Sequence, residues 1–223
     1  MAFTLVQAGG TLYSMTPQGG FAALTLPTGI TIGSTKIPRF AKFNNYIVVV
    51  NSPTQPISVD VDGTVRVLVP RAPTSVLTLA GASGGALTGT FRALQTFAVL
   101  DALGNTIAES DYGPAMLSGI TISAQYLKAS GINISSDDIT ETRLYRTTDN
   151  GGVYFKWASI DGNVFTVYQD DLADASLPVI AAGGLGSVSN RTLVTEWIGR
   201  LGGVDPTDLN RIRYAQPGTM YAW

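Results

Sequence analysis

Any chemistry in this 223-residue chain would rest on carboxylates, lysines, tyrosines and serines, because the sequence contains no His and no Cys. The commonest general base, the commonest metal ligand and the strongest nucleophile are therefore missing. Neither a disulfide nor a thiolate metal site can form. Lysine occurs only as Lys36, Lys42, Lys128 and Lys156. Two carboxylates across a cleft could cleave a glycoside, and the acidic pairs are Asp137-Asp138 and Asp170-Asp171, with Asp174 close behind. Both pairs sit in turn-like contexts, where aspartate bonds its own backbone, so the solvated turn is the preferred reading. Calcium is the gentler alternative for Asp170, Asp171 and Asp174, or for Asp149 with Asn150, since hard cations take clustered oxygens. Neither group has the spacing of a known calcium loop. Gly183-Gly184-Leu185-Gly186-Ser187 lacks the third glycine and the βαβ setting of a dinucleotide fingerprint. Trp157 and Tyr154 could form a carbohydrate platform, but core and cross-strand pairing is the plainer role. No catalytic, cofactor-binding or metal-ligating residue is assigned, and a non-enzyme that needs no cofactor is expected.

The elements available to position these residues are strands. Thr11–Thr16 and Phe21–Leu26 flank the turn Pro17-Gln18-Gly19-Gly20. Arg39–Phe43 and Tyr46–Val50 are joined by Asn44-Asn45, and Asn tolerates the positive φ of a two-residue hairpin. Ile57–Val61 and Thr64–Val69 flank Asp62-Gly63. Three hairpins in residues 1–70 form a propeller-like region. Pro70-Arg71-Ala72-Pro73 marks a stiff linker, and Gly81-Ala82-Ser83-Gly84-Gly85 marks a second, flexible point. Residues 74–178 then read as one β-sandwich, with strands at Phe91–Leu100, Thr106–Ser110, Ile120–Ala124, Thr142–Thr147, Val153–Ala158 and Val164–Tyr168. In the tail, 179–223, Leu193–Leu201 has apolar residues at helical spacing. Asp205-Pro206 resembles a helix start.

Composition agrees with an all-β fold. Only 13% of residues are charged, so hydroxyls and amides must supply the polar surface, and Thr alone occurs 25 times. The net charge of −2 and the lack of a basic stripe argue against nucleic acid as a partner. No apolar run approaches a membrane span, and the N-terminus lacks the plan of a signal peptide. Charge is segregated, at +3 over residues 1–80, −6 over 81–180 and +1 over 181–223. Segments of opposite sign permit copies of one chain to meet.

Particular runs carry a resemblance. Thr142-Arg143-Leu144-Tyr145-Arg146-Thr147, continuing through Gly151-Gly152 to Tyr154, resembles a hairpin of fibronectin-type-III-like modules in tailed-bacteriophage virion proteins. Val167–Leu177 resembles the Asp-rich segment that follows it, and Phe97–Asp111 another hairpin of the same modules. Phe40–Pro70 is similar to a propeller-like segment that precedes such modules in phage tail and neck proteins. The resemblance implies an Ig/fibronectin-III-like sandwich and a structural role at the head–tail junction or tail. Longer relatives continue past the equivalent of Trp223. That favours a shorter ring-forming connector or tail component over a distal nozzle.

The expectation is a multi-copy structural subunit of the virion, assembled in the host cytoplasm, whose partners are other copies of itself and neighbouring virion proteins. Tyr214, Met220, Tyr221 and Trp223, beside Pro217-Gly218, are the candidate assembly contacts, because an aromatic tail with little sequence around it must dock on something. The rival is a module that binds host-surface glycan or protein from a tail tip or capsid surface. It would show exposed aromatics where the structural reading buries them.

Overall fold

Hairpin chemistry dominates the backbone. In the computed structural model, residues 4–16, 18–43, 46–100, 103–104, 106–164, 167–178, 194–197, 200–204 and 212–214 are described. The chain divides into two compact units, Met1–Val69 with Gly186–Trp223, and Pro70–Leu185. The described residues contain no α-helix; a single 3-10 turn covers Asp174–Ser176. No helix among them is long and apolar enough to cross a membrane.

The first unit is built of three antiparallel meanders. Strands β1 (Leu5–Ala8), β2 (Thr11–Met15) and β3 (Phe21–Ala23) form one sheet. The β1–β2 connection is Gly9-Gly10, with Gly9 at φ +58°, a two-residue turn that only glycine, Asn or Asp adopts readily. A second sheet runs in sequence order through β4 (Arg39–Phe43), β5 (Tyr46–Val50), β6 (Ile57–Asp60) and β7 (Val65–Val67). Leu12 of β2 packs with Val49, Ile57, Val59 and Val67 in one core. Val48 and Val50, on the opposite face of β5, are also buried, so this strand is covered on both sides.

The third meander overturns the helical reading of the tail. Residues 194–204 form β15 (Val194–Trp197) and β16 (Arg200–Val204), followed by β17 (Ile212–Tyr214). Trp197 of β15 pairs with Arg200 of β16. Val194-Thr195-Glu196-Trp197 is rich in β-branched and aromatic residues, which favour strand, and an apolar spacing only two turns long is too short to hold a helix against it. β15 runs close to β4 and β5. The expected helix start at Asp205-Pro206 lies outside the described residues.

The second unit is a two-sheet sandwich. One sheet has the order β10 (Thr106–Glu109), β9 (Ala93–Leu100), β12 (Glu141–Thr147), β13 (Tyr154–Asp161). The other has β14 (Tyr168–Asp170), β11 (Ile120–Ser130), β8 (Thr78–Phe91). Phe91, Ile122, Leu127, Leu144 and Trp157, drawn from both sheets, share one core. As in immunoglobulin domains, the second and fifth strands of the sandwich pair at its centre. Here the third strand joins that sheet beside the second, and the first pairs with the fourth. The ladder skips Trp157 between Lys156 and Ala158, a bulge that turns both Trp157 and Ala158 toward the core.

The Gly81–Gly85 run is no hinge. It lies inside β8, the longest strand. A Cβ on Gly85 would fall 2.2 Å from the Tyr126 amide nitrogen, so glycine is there to let two backbones touch. The pairing of β8 with β11 steps from Ile122↔Gly89 to Gln125↔Ser83, a wide bulge in β8 that puts Ala124 at φ +49°.

Candidate functional site

Two clusters of charged side chains sit on the centre and end of the sandwich, and the strand periodicity of β12 builds both. Alternate residues of a strand face opposite sides. Leu144 and Arg146 therefore point into the core, while Glu141, Arg143 and Tyr145 point out of the other face. Every residue of β12 is buried nonetheless.

On the outer face, the Arg143 guanidinium donates to Glu141 through Nε at 2.8 Å, to Glu109 through Nη1, and to Thr106 Oγ1 at 2.7 Å. Glu109 Oε1 also accepts from Tyr145 Oη and from Thr96 Oγ1, each at 2.6 Å. These five contacts tie β10, β9 and β12 edge to edge. Burial alone would lower the Arg143 pKa, but the two facing carboxylates outweigh it and hold the guanidinium charged. Burial pushes the Tyr145 phenol well above its ordinary value, and the negative Glu109 adds to the effect. Both glutamates are turned onto one arginine.

At the sandwich end, Arg146 is fully buried. Its Nη1 donates to Asp174 Oδ1 at 2.6 Å and to the Thr147 carbonyl at 2.9 Å; its Nη2 donates to the Leu172 carbonyl. The guanidinium carbon lies 5.1 Å from the centroid of the Phe91 ring, a cation–π distance. Its Nε is buried without a partner. Asp174 Oδ2 accepts from the Asp149 amide at 2.7 Å, and Asp149 Oδ1 accepts from the Thr90 amide at 2.7 Å. Asn150, at φ +52°, completes that turn.

Asp170 is used up in the same way. Its Oδ1 accepts from Trp157 Nε1 at 2.7 Å and its Oδ2 from Tyr168 Oη at 2.6 Å. Trp157 and Tyr168 meet edge to face at 5.1 Å. Burial, then the bond to Asp170, raises the Tyr168 phenol. Asp171 accepts from the Ala86 amide, and Asp137 forms a forked pair with Arg71.

The structure thus brings Asp149 and Asp174 together, with protein donors on both Asp174 oxygens and on Asp149 Oδ1. Among the described residues, no three carboxylates converge as metal ligands. The carboxylate pairs at 137–138 and 170–171 belong to separate contacts. Trp157 is 5% exposed, so it belongs to the core and offers no platform for sugar. An open groove of about 590 Å³ in the first unit, between Leu24–Pro27 and Asp62–Val65, has Asp62 as its one charged lining residue. The Asp62 carboxylate is held by the Thr64 amide at 2.8 Å. Tyr214 ends β17; Met220, Tyr221 and Trp223 lie outside the described residues.

In the sequence, Glu109, Arg143 and Tyr145 stand only as parts of short motifs, and their spacing does not reveal that Glu109 bonds both of the others. The usable signal was chemical: a Glu on one hairpin and an Arg and a Tyr on the next, all in strands too apolar to leave them unpaired. No family model, no curated protein and no solved structure matches the chain.

Proposed function

We propose that this chain is a non-enzymatic structural subunit of a tailed-phage particle, a ring-forming head–tail connector or tail protein present in several copies. The observation that carries the structural half of this reading is where the motif charges go. Arg143 with Glu109 and Tyr145, and Arg146 with Asp174, link the three motif segments to one another inside the sandwich. Buried ionic contacts of this kind fix one arrangement of strands, a use that suits a part whose job is shape. The phage assignment draws on the motifs themselves, at 97–111, 142–154 and 167–177. The aromatics bear on the rival reading. Trp157, Tyr145 and Phe91 are buried in the sandwich, as a structural module requires, and Trp157 and Tyr168 are spent on Asp170.

Gradient-purified particles of a phage encoding this chain should contain it at constant, multiple stoichiometry relative to the capsid protein. A glycan array probed with the purified chain should stay blank. Its absence from particles, or saturable binding to one glycan class, would replace this reading with the host-binding one.

A further inference from the structure

The outer face of the β1–β2–β3 sheet is apolar and carries no charge. Register assigns it unambiguously. Val6 lies opposite Tyr13, Tyr13 opposite Ala23, and Met15 opposite Phe21, all on the face away from the buried Leu12. Val6, Met15 and Phe21 are 37%, 41% and 58% exposed. No charged side chain interrupts this face, because residues 1–35 contain no Asp, Glu, Lys or Arg. The solvated face of an antiparallel sheet ordinarily carries polar side chains in alternation with the apolar ones beneath. Tyr, Phe and Met without charge is instead the composition of an interface core. Cations begin at its border: Lys36, packed beside Gly33, whose carbonyl accepts from Gln7 of β1, then Arg39 and Lys42, all three exposed.

Charge identifies what covers it. The first unit carries eight basic and five acidic residues; the second carries six basic and eleven acidic. Three of those six, Arg71, Arg143 and Arg146, are already paired internally with Asp137, Glu109, Glu141 and Asp174. The second unit therefore presents an acidic surface, with Asp149, Asp161 and Asp171 exposed. An apolar face bordered by cations on a basic unit complements an acidic unit, and it repels its own like-charged border in a two-fold contact. We infer that the β1–β2–β3 face is the surface by which one copy docks on the second unit of the next copy, head to tail. A heterologous contact of this kind closes into a ring when the rotation per subunit allows it. The inference rests on the multi-copy reading above and adds the surface and the partner.

The test replaces Phe21 with p-benzoylphenylalanine in the full chain and irradiates an equal mixture of ¹⁴N and ¹⁵N protein. Mixed-isotope crosslinks from position 21 to residues 70–185 are the expected result. Mixed-isotope crosslinks to residues 1–69 or 186–223, or a chain that stays monomeric by light scattering at micromolar concentration, would overturn the inference. Phe21→Glu should weaken self-association roughly thirtyfold, the cost of one central aromatic contact, without moving the thermal midpoint. If particles incorporate Phe21→Glu as they do wild type, this surface is wrong while the structural role stands.

Discussion

Arg146 and Asp174, 28 residues apart, meet at 2.6 Å with the arginine wholly buried and the aspartate side chain about a third exposed. The pair is asymmetric, and the asymmetry decides which partner matters. Asp174→Ala strands a guanidinium in the core, whereas Arg146→Met removes the buried charge and leaves a carboxylate that water can reach. Asp174→Ala should destabilise the sandwich by about 3 kcal/mol and Arg146→Met by clearly less. Urea unfolding of the two variants checks the order. The reverse order would mean that the pair's attraction, rather than the stranded charge, sets the cost.

Two phenols, one in the outer-face cluster and one against Trp157, give an alkaline signature. Tyr145 and Tyr168 are held protonated above their ordinary value of 10.0 by burial and by facing carboxylates. Once pH rises past that value, the unfolded chain loses these protons and the folded chain keeps them. Their contribution to stability is thus whole below about pH 10 and declines above it. Absorbance titration should show the two phenols ionising only as the protein unfolds, and Tyr145→Phe should remove one of them. If every tyrosine ionises in one step near pH 10 with the fold intact, the buried network is not as described.

How far the fold was legible follows from which signals are local. The turns Asp62-Gly63 and Asn150-Gly151-Gly152 announced their hairpins, because positive φ leaves few residue choices. The strand β1 does not stand out in the sequence although Gly9-Gly10 is a hairpin turn of the same kind, because its four residues alternate too briefly. Gly81–Gly85 misled because glycine marks both a flexible point and a close approach, and only the neighbouring Tyr126 backbone separates the two. The tail misled because Leu193, Trp197 and Leu201 fit a helix, while the pairing of β15 with β16 is a contact between segments. The site was the least legible part. Asp170, Asp171 and Asp174 were singled out as a group, yet their partners are Trp157, the Ala86 amide and Arg146, each supplied by a different strand.

Glycine substitutions separate the two uses of that residue. Gly85→Ala must push a methyl group into the Tyr126 backbone, and it should cost several kcal/mol or prevent folding. Gly104→Ala has open space around it but a φ of +81°, so about 1 kcal/mol is expected. Thermal unfolding of both variants decides. Equal costs would return Gly81–Gly85 to the flexible point its composition suggests.

Removal of residues 215–223 tests the tail. Among the described residues the sandwich core contains none beyond Leu177, so its unfolding transition should be unchanged. Incorporation into particles should be lost. Normal incorporation of the truncated chain would dismiss Met220, Tyr221 and Trp223 as assembly contacts.

The central claim is that this chain is a repeated structural part of a phage particle, and a cryo-EM reconstruction of the intact particle tests it most directly. The account predicts several symmetry-related copies in the neck or tail, with the β1–β2–β3 face covered by the next copy. A particle whose neck and tail density is filled by other chains, with this one absent or present as a single peripheral copy, would contradict it.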